Sequence, residues 1–371
     1  MLTIQIPTPR TTFARIRNSD FWQNVDLLAL PEFAAPKRRL RCVPAPLIRG
    51  QIGAIGPLAA ARLLDRLTPR STRASIAPFT RELGARTILF GVDAAADVIL
   101  AHGWLPWIAL GRKHVPLLWG PGYTHEDCGN PIERQAERDS ALRQRSSRHA
   151  RGVFLTTDEA VQRFNSRIGV PTADRVFSIP YFMPRAPRSN AVRALPRSGS
   201  TIRLLFVGRE ARRKNLPAVI EALDGLSADG RSFHLTVVSD LRDGPVDLER
   251  RYITHHRQIG NAQVLELMAS AHIYVMPSMQ ESFGLVYVEA LAYGCLVVAP
   301  RRAAQLDMLR EAACYVDPSD VHDIRAGLDR ALATKAWADA SERAIARYRE
   351  RFAPDVVAER FAEAAERCAR D

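Results

Sequence analysis

The sequence predicts an α/β protein built on parallel sheets and divided into two domains. Three observations carry that reading. The first is Tyr274–Pro300, YVMPSMQESFGLVYVEALAYGCLVVAP. Its opening apolar run starts at Ile273 and ends at Met276. The chain turns at Pro277-Ser278, takes helical spacing over Phe283–Ala292, breaks at Gly294 and closes with the apolar run Leu296–Ala299. Strand, turn, helix and strand in that order make a βαβ unit in a parallel sheet. The second is that the alternation recurs: apolar Ile202–Val207, helical Leu216–Leu223, apolar Phe233–Val238. The third is length, because 371 residues hold two domains of ordinary size.

Taken in order, Leu2–Ile6 alternates as a strand does and stops at Pro7. The remainder of residues 1–50 has no clear pattern. Gly50, Gly53 and Gly56 read as a flexible loop, and a helix is expected over Pro57–Leu67. Thr87–Val92, Asp97–Ala101 and Pro116–Trp119 are runs suited to buried parallel strands. A polar helix is expected over Arg134–Ala150, then a strand at Gly152–Thr157, a helix at Asp158–Ile168 and a strand at Val176–Ile179. Residues 184–200, PRAPRSNAVRALPRSGS, are rich in Pro, Arg and Ser and read as a linker. Beyond Val238, Tyr252–His255 is a short strand and Ile259–Ser270 a helix. After Pro300 come a strand at Ala312–Val316 and a helix cap within Asp317–Asp320. Helices follow at Val321–Ala333, Ala336–Arg351 and Pro354–Arg370. The expected division is 1–183, linker 184–200, 201–350, and a terminal helix in 351–371.

Composition excludes several classes. The five cysteines are scattered and odd in number, with no CxxC pair, which argues against a disulfide framework or a cysteine metal site. The start, MLTIQIPTPRTTF, lacks a basic-then-apolar leader, and no apolar run approaches a membrane span. A cytoplasmic protein is expected. The net charge of +12 is one-sided: residues 1–200 carry +14 and residues 201–371 carry −2. A one-sided basic half suits an anionic partner such as a membrane surface or a lipid-linked phosphate. No nucleic-acid recognition motif accompanies the arginines, so no nucleic-acid partner is expected.

The βαβ unit also carries chemistry. A helix N-terminus that follows a strand offers free N–H groups and a positive dipole end, which suits a phosphate. Gly284 lets a ligand come close to the backbone. At ~1.5 Å rise per helical residue, Glu289 lies roughly 7–8 Å from that anion seat, the reach from a diphosphate to a ribose. A carboxylate accepts hydrogen bonds from a ribose diol. Glu281, in the turn, faces whatever lies beyond the diphosphate. Two glutamates beside an apolar helix are, taken alone, ordinary surface charges. A second loop, GREARRKN after the strand Ile202–Val207, is basic and taken alone reads as a solvated turn. Arg212 and Arg213 read as solvated neighbours, and no Walker phosphate loop is present.

The string PS-x-x-E-S-F-G-L-V-x-x-E-A-L-A-x-G-x-x-V-V-A-P closely resembles the donor-site motif of the retaining glycosyltransferases of family 4. The spacing of Gly208-Arg209 and Lys214 matches the same family. The resemblance covers residues 150–360 well and 1–150 weakly. It implies the GT-B fold, two Rossmann-like parallel-sheet domains facing a cleft, with the terminal helix returning to the first. It implies transfer of a hexosyl group from a UDP- or GDP-linked sugar to a saccharide or lipid-linked acceptor hydroxyl, with retention. Glu281 would bind the donor sugar and Glu289 the ribose. Arg209 and Lys214, beside Gly208, would hold the diphosphate, and the backbone N–H groups of Phe283, Gly284, Leu285 and Val286 would contact sugar and phosphate. His102 and His125 are candidates for the sugar or acceptor side. No Asp-x-Asp motif is present, and neither metal nor cofactor is expected. The chain departs from the family in the glycine-free TPRTTFAR after the first strand, and in Ala303-Ala304, where relatives carry two glycines before an acid, here Asp307. Alternatives are a nucleotide-sugar 2-epimerase on the same fold, or a degenerate member that binds sugars or a partner enzyme.

Overall fold

The computed structural model describes residues 2–6, 40–44, 98–102, 117–120, 150–168, 175–182, 201–281, 283–333 and 336–369. They fall into two compact units. The first has six parallel strands: β1 (Leu2–Ile6), β2 (Leu40–Pro44), β3 (Val98–His102), β4 (Leu117–Gly120), β5 (Gly152–Leu155) and β6 (Val176–Ser178), in the order β2-β1-β3-β4-β5-β6. Helix α1 (Asp158–Ile168) follows β5. The Thr157 hydroxyl accepts from the Ala160 N–H at 3.0 Å, and Asp158 and Glu159 in the first turn suit the positive end of the dipole.

The second unit has β7 (Ile202–Val207), β8 (Phe233–Val238), β9 (Ile253–His256), β10 (Ile273–Val275), β11 (Leu296–Pro300) and β12 (Ala313–Val316), all parallel, in the order β12-β11-β10-β7-β8-β9. Its helices are α2 (Leu216–Ala228), α3 (Asn261–Ser270), α4 (Leu285–Ala292), α5 (Ala303–Leu309), α6 (Val321–Ala333) and α7 (Trp337–Arg351). Parallel strands are linked by crossovers that cover both faces of the sheet, so Leu204, Leu205 and Phe206 in β7 are all buried. Helix α2 packs with α6, and α4 with α7.

The last helix, α8 (Pro354–Ala369), belongs to the first unit from Val357 onward. Val357, Phe361, Ala365 and Cys368 recur at helical spacing and bury against Val98, Phe154, Ile179 and Phe182. The Phe154 and Phe361 rings meet edge to face at 5.2 Å. Burying a phenylalanine side chain of this kind contributes roughly 2–3 kcal/mol. The Arg360 guanidinium donates to the Ser178 carbonyl at the end of β6.

Several boundaries differ from the expected ones. Strand β2 and helix α5 were not anticipated. Helix α4 starts two residues later than its apolar spacing suggests, because Gly284 has φ 86°, outside the helical region. The segments 57–67, 87–92, 134–149 and 184–200, which carry an expected helix, strand, helix and linker, lie outside the described residues. Among the described residues, no helix is long and apolar enough to cross a membrane.

Candidate functional site

In the second sheet the chain runs β7 to β8 to β9 on one side, then returns to place β10 on the other side of β7. Strands β7 and β10 pair directly, Ile273 with Leu204 and Tyr274 with Leu205. That is a topological switch point, and the loops leaving the carboxyl ends of such strands part to form a crevice. The two loops are Gly208–Asn215 and Met276–Gly284, which bear the predicted cations and Glu281.

The first loop is wound tightly. The Lys214 N–H donates to the Glu210 carbonyl and the Leu216 N–H to the Ala211 carbonyl, each at 2.8 Å. A Cβ on Gly208 would stand 2.9 Å from Lys214 Cγ, so the missing side chain makes room for the lysine stem. Lys214 Nζ then forms an ion pair with the Glu281 carboxylate, both side chains close to nine-tenths buried. Arg209 is more exposed, at 57%, and its Nε lies 3.9 Å from Asp240 at the end of β8. Asp240 is also held by Arg242 at 3.0 Å.

The second loop leads into α4 through Gly284. A Cβ there would come within 2.6 Å of the Tyr287 ring and 3.2 Å of Glu281 Cγ, so a positive φ and a close contact both require glycine. Among the described residues, no side chain caps α4. The Tyr287 N–H turns back to the Gly284 carbonyl at 2.9 Å, and the N–H groups ahead of it stand at the positive end of the helix dipole. Leu285 and Val286 are partly buried there. Phe283 is fully buried and meets Phe352 at 6.2 Å, so its ring belongs to the core. Glu289, one turn further, is 8% exposed. Burial pushes its carboxyl up to about 7, against the opposing pull of a side-chain hydrogen bond with Asn261.

The structure therefore brings Gly208, Lys214, Glu281 and the start of α4 together, while Arg209 stands against Asp240 and Glu289 is buried one turn into α4. His102 ends β3, in register with Gly120 of β4. Strand β3 flanks the other sheet's switch point, beside β1. His125 lies outside the described residues. Among the described residues, no group of three or more His, Cys, Asp or Glu stands where it could share a metal.

Two residues with structural ties to the site were not found by sequence reasoning. Arg213, read there as a solvated neighbour, is not free. Its Nη1 donates to the Gln280 carbonyl at 2.6 Å and its Nε to Glu210 at 2.7 Å. Gln305, in α5, is fully buried and donates to the Phe283 carbonyl at 3.3 Å. A basic turn gives no signal that separates a clamping arginine from a hydrated one. A polar residue among the apolar positions of a short helix was the available signal for Gln305.

Residues 188–351 match the family model of glycosyl transferases group 1. The chain is 27% identical over 235 residues to a D-inositol 3-phosphate glycosyltransferase of Arthrobacter, covering 55% of this chain and 54% of the relative. It is 27% identical over 282 residues to an alpha-D-kanosaminyltransferase of Streptomyces kanamyceticus, covering 68% of each. The match thus spans about half the length of the first of these relatives. Among solved structures, an alpha,alpha-trehalose-phosphate synthase (UDP-forming) of Burkholderia vietnamiensis aligns with a TM-score of 0.68 at 15% identity, over 99% of this chain and 97% of that one. A likeness at that identity carries the fold, which is GT-B. Residues 188–351, which hold Gly208, Arg209, Lys214, Glu281 and Glu289, are the part of the chain that matches the glycosyl transferases group 1, and its named relatives are glycosyltransferases.

Proposed function

We propose that this protein is a retaining hexosyltransferase of glycosyltransferase family 4, using a UDP- or GDP-linked sugar as donor. One observation supports the reading: at the carboxyl ends of the paired strands β7 and β10, Lys214 and Glu281 form a largely buried ion pair close to the start of α4. Arg209 and Lys214 hold the diphosphate, assisted by the first-turn N–H groups of α4. Glu281 takes the donor-sugar hydroxyls and Glu289 the ribose. In the free protein Lys214 is occupied by Glu281. Donor binding exchanges the partners: the diphosphate takes the ammonium, and the released carboxylate accepts from the sugar.

The reaction is a front-face displacement. The bond from the sugar's anomeric carbon to the diphosphate oxygen breaks, and the acceptor oxygen bonds to that carbon from the same side. The acceptor's proton passes to the departing phosphate. Negative charge grows on the phosphate as the bond lengthens, so Lys214 and Arg209 act more strongly in the transition state than in the ground state. Two cations supply that stabilisation without a metal, and turnover is expected to be unchanged by EDTA.

The acceptor is proposed to be a saccharide or lipid-linked sugar phosphate in surface polysaccharide or glycolipid assembly. The basic excess in residues 1–200 would draw such an acceptor, and would hold the protein peripherally on an anionic, cytoplasmic membrane face. Calorimetric titration with UDP and GDP, followed by turnover assays with the matching nucleotide sugars, tests the reading. Nucleotide binding without any turnover would favour a degenerate binding member. Nucleotide release from a donor with no acceptor present, together with an epimerised sugar, would favour the epimerase.

A further inference from the structure

We propose that Arg213 and Gln305 are positioning residues that hold the loop bearing Glu281 from its two sides, and so set how the site discriminates a nucleotide sugar from the bare nucleotide diphosphate. The inference rests on the donor-site reading above. Glu281 lies between two tethered carbonyls. On one side is Gln280, whose carbonyl accepts from Arg213 Nη1 at 2.6 Å. On the other is Phe283, whose carbonyl accepts from Gln305 Nε2 at 3.3 Å.

The Arg213 tether is doubled. Its backbone carbonyl accepts from the Met279 N–H at 3.0 Å, so adjacent loop residues bond to the backbone and the side chain of one arginine. The arginine is itself fixed. Its N–H donates to Asp243 at 2.8 Å, and its guanidinium bonds Glu210. A planar fork held at one edge presents its remaining donor in one direction, which a lysine cannot reproduce.

The Gln305 tether has a different signature. Nε2 meets the Phe283 carbonyl, while Oε1 is buried with no hydrogen-bond partner among the described residues. The reverse amide orientation would set two oxygens against each other. A buried, half-satisfied amide is costly where a methionine of similar shape would not be. The single bond it makes goes to the residue before Gly284, the pivot of the loop. The carbonyl ends of α5 are fixed in turn: buried Arg347 donates to the Asp307 and Met308 carbonyls, each at 2.8 Å.

The test uses the full chain and calorimetric titration with UDP against UDP-glucose and GDP against GDP-mannose. Arg213→Met and Gln305→Met should each leave the Kd of the bare diphosphate within about twofold of wild type. Each should weaken the nucleotide sugar ~5- to 30-fold, as expected for losing hydrogen bonds that orient a charged group. Glu281→Ala is the benchmark for the same shift in the ratio of the two constants. Arg213→Lys should fall between wild type and Arg213→Met. Gln305→Met should keep or raise the unfolding midpoint, because the orphaned acceptor is gone. Unchanged ratios in both methionine variants would overturn the positioning role. Parallel losses for diphosphate and nucleotide sugar, with a lowered midpoint, would overturn it in favour of general structural support. If the wild type binds none of the four, the donor-site reading itself fails, and the inference with it.

Discussion

Lys214 and Glu289 carry the sharpest consequences at the scale of single residues. Replacing Lys214 by alanine should lower turnover at least ~10²–10³-fold, the usual cost of removing one donor aimed at developing charge. Circular dichroism should report an intact fold. Glu289 carries a pH dependence whose sign is fixed by its burial. Its carboxyl stands at about 7 in the folded protein against 4.5 for an ordinary glutamate. A raised acid is protonated in the folded state while the unfolded chain has already lost the proton. Stability from this group is therefore greatest below pH 4.5 and falls as pH rises to 7, by ~3 kcal/mol in all. A ribose diol donates to the ionised form, so nucleotide binding should release a proton below pH 7 and tighten as pH rises through that range. Calorimetry in buffers of different ionisation heat measures the proton directly. In Glu289→Gln both the release and the 4.5–7 slope in stability should vanish. Lys214 and Glu281 were legible in the sequence because a long motif and a fixed spacing mark them. Arg213 was not, because its carbonyl partner lies 67 residues away along the chain. Neighbouring residues do not record such a contact.

Helix α4 and helix α8 show what the elements contribute. The entry to α4 depends on a glycine that combines φ 86° with a ring 2.6 Å from its would-be Cβ. Gly284→Ala should cost ~1–3 kcal/mol of stability from backbone strain and crowding. Nucleotide-sugar affinity should fall with it, measured by urea unfolding and titration on the same preparation. In α8, Phe361→Ala removes a buried ring that packs on Phe154 and should destabilise the first unit by ~3–5 kcal/mol. Strands β7 and β8 and helices α1 and α6 have the bounds that apolar runs and helical spacing suggest. Elements were missed where the pattern was too short to carry a period. Strand β2 is five residues that follow a basic run, and α5 is seven residues that begin at Ala303-Ala304. Those alanines were legible only as a departure from a glycine pair. In the structure they open a short helix that brings Gln305 to the Phe283 carbonyl.

For the whole molecule, the uneven charge and the shared crevice lead to two different experiments. A chain whose residues 1–200 carry +14 and the rest −2 should float with anionic liposomes at low ionic strength and release as salt approaches physiological levels and above. Absence of binding at low salt would remove the membrane proposal and leave the donor site untouched. The fold class was legible because strand–helix alternation repeats along the chain, and the strand–turn–helix–strand unit at 273–300 because its pattern is long. The acceptor half was not: its candidates His102 and His125 rest on single positions without a surrounding pattern. The central claim is that the β7/β10 crevice binds a nucleotide diphosphate sugar. It is tested most directly by a thermal-shift panel of UDP- and GDP-linked sugars on wild type and Lys214→Ala, because ligand that binds only the folded state raises apparent stability. At least one nucleotide sugar should raise the wild-type midpoint in a concentration-dependent way and leave Lys214→Ala unmoved. No shift in the wild type with any member of the panel at millimolar concentration, or an equal shift in both proteins, would contradict it.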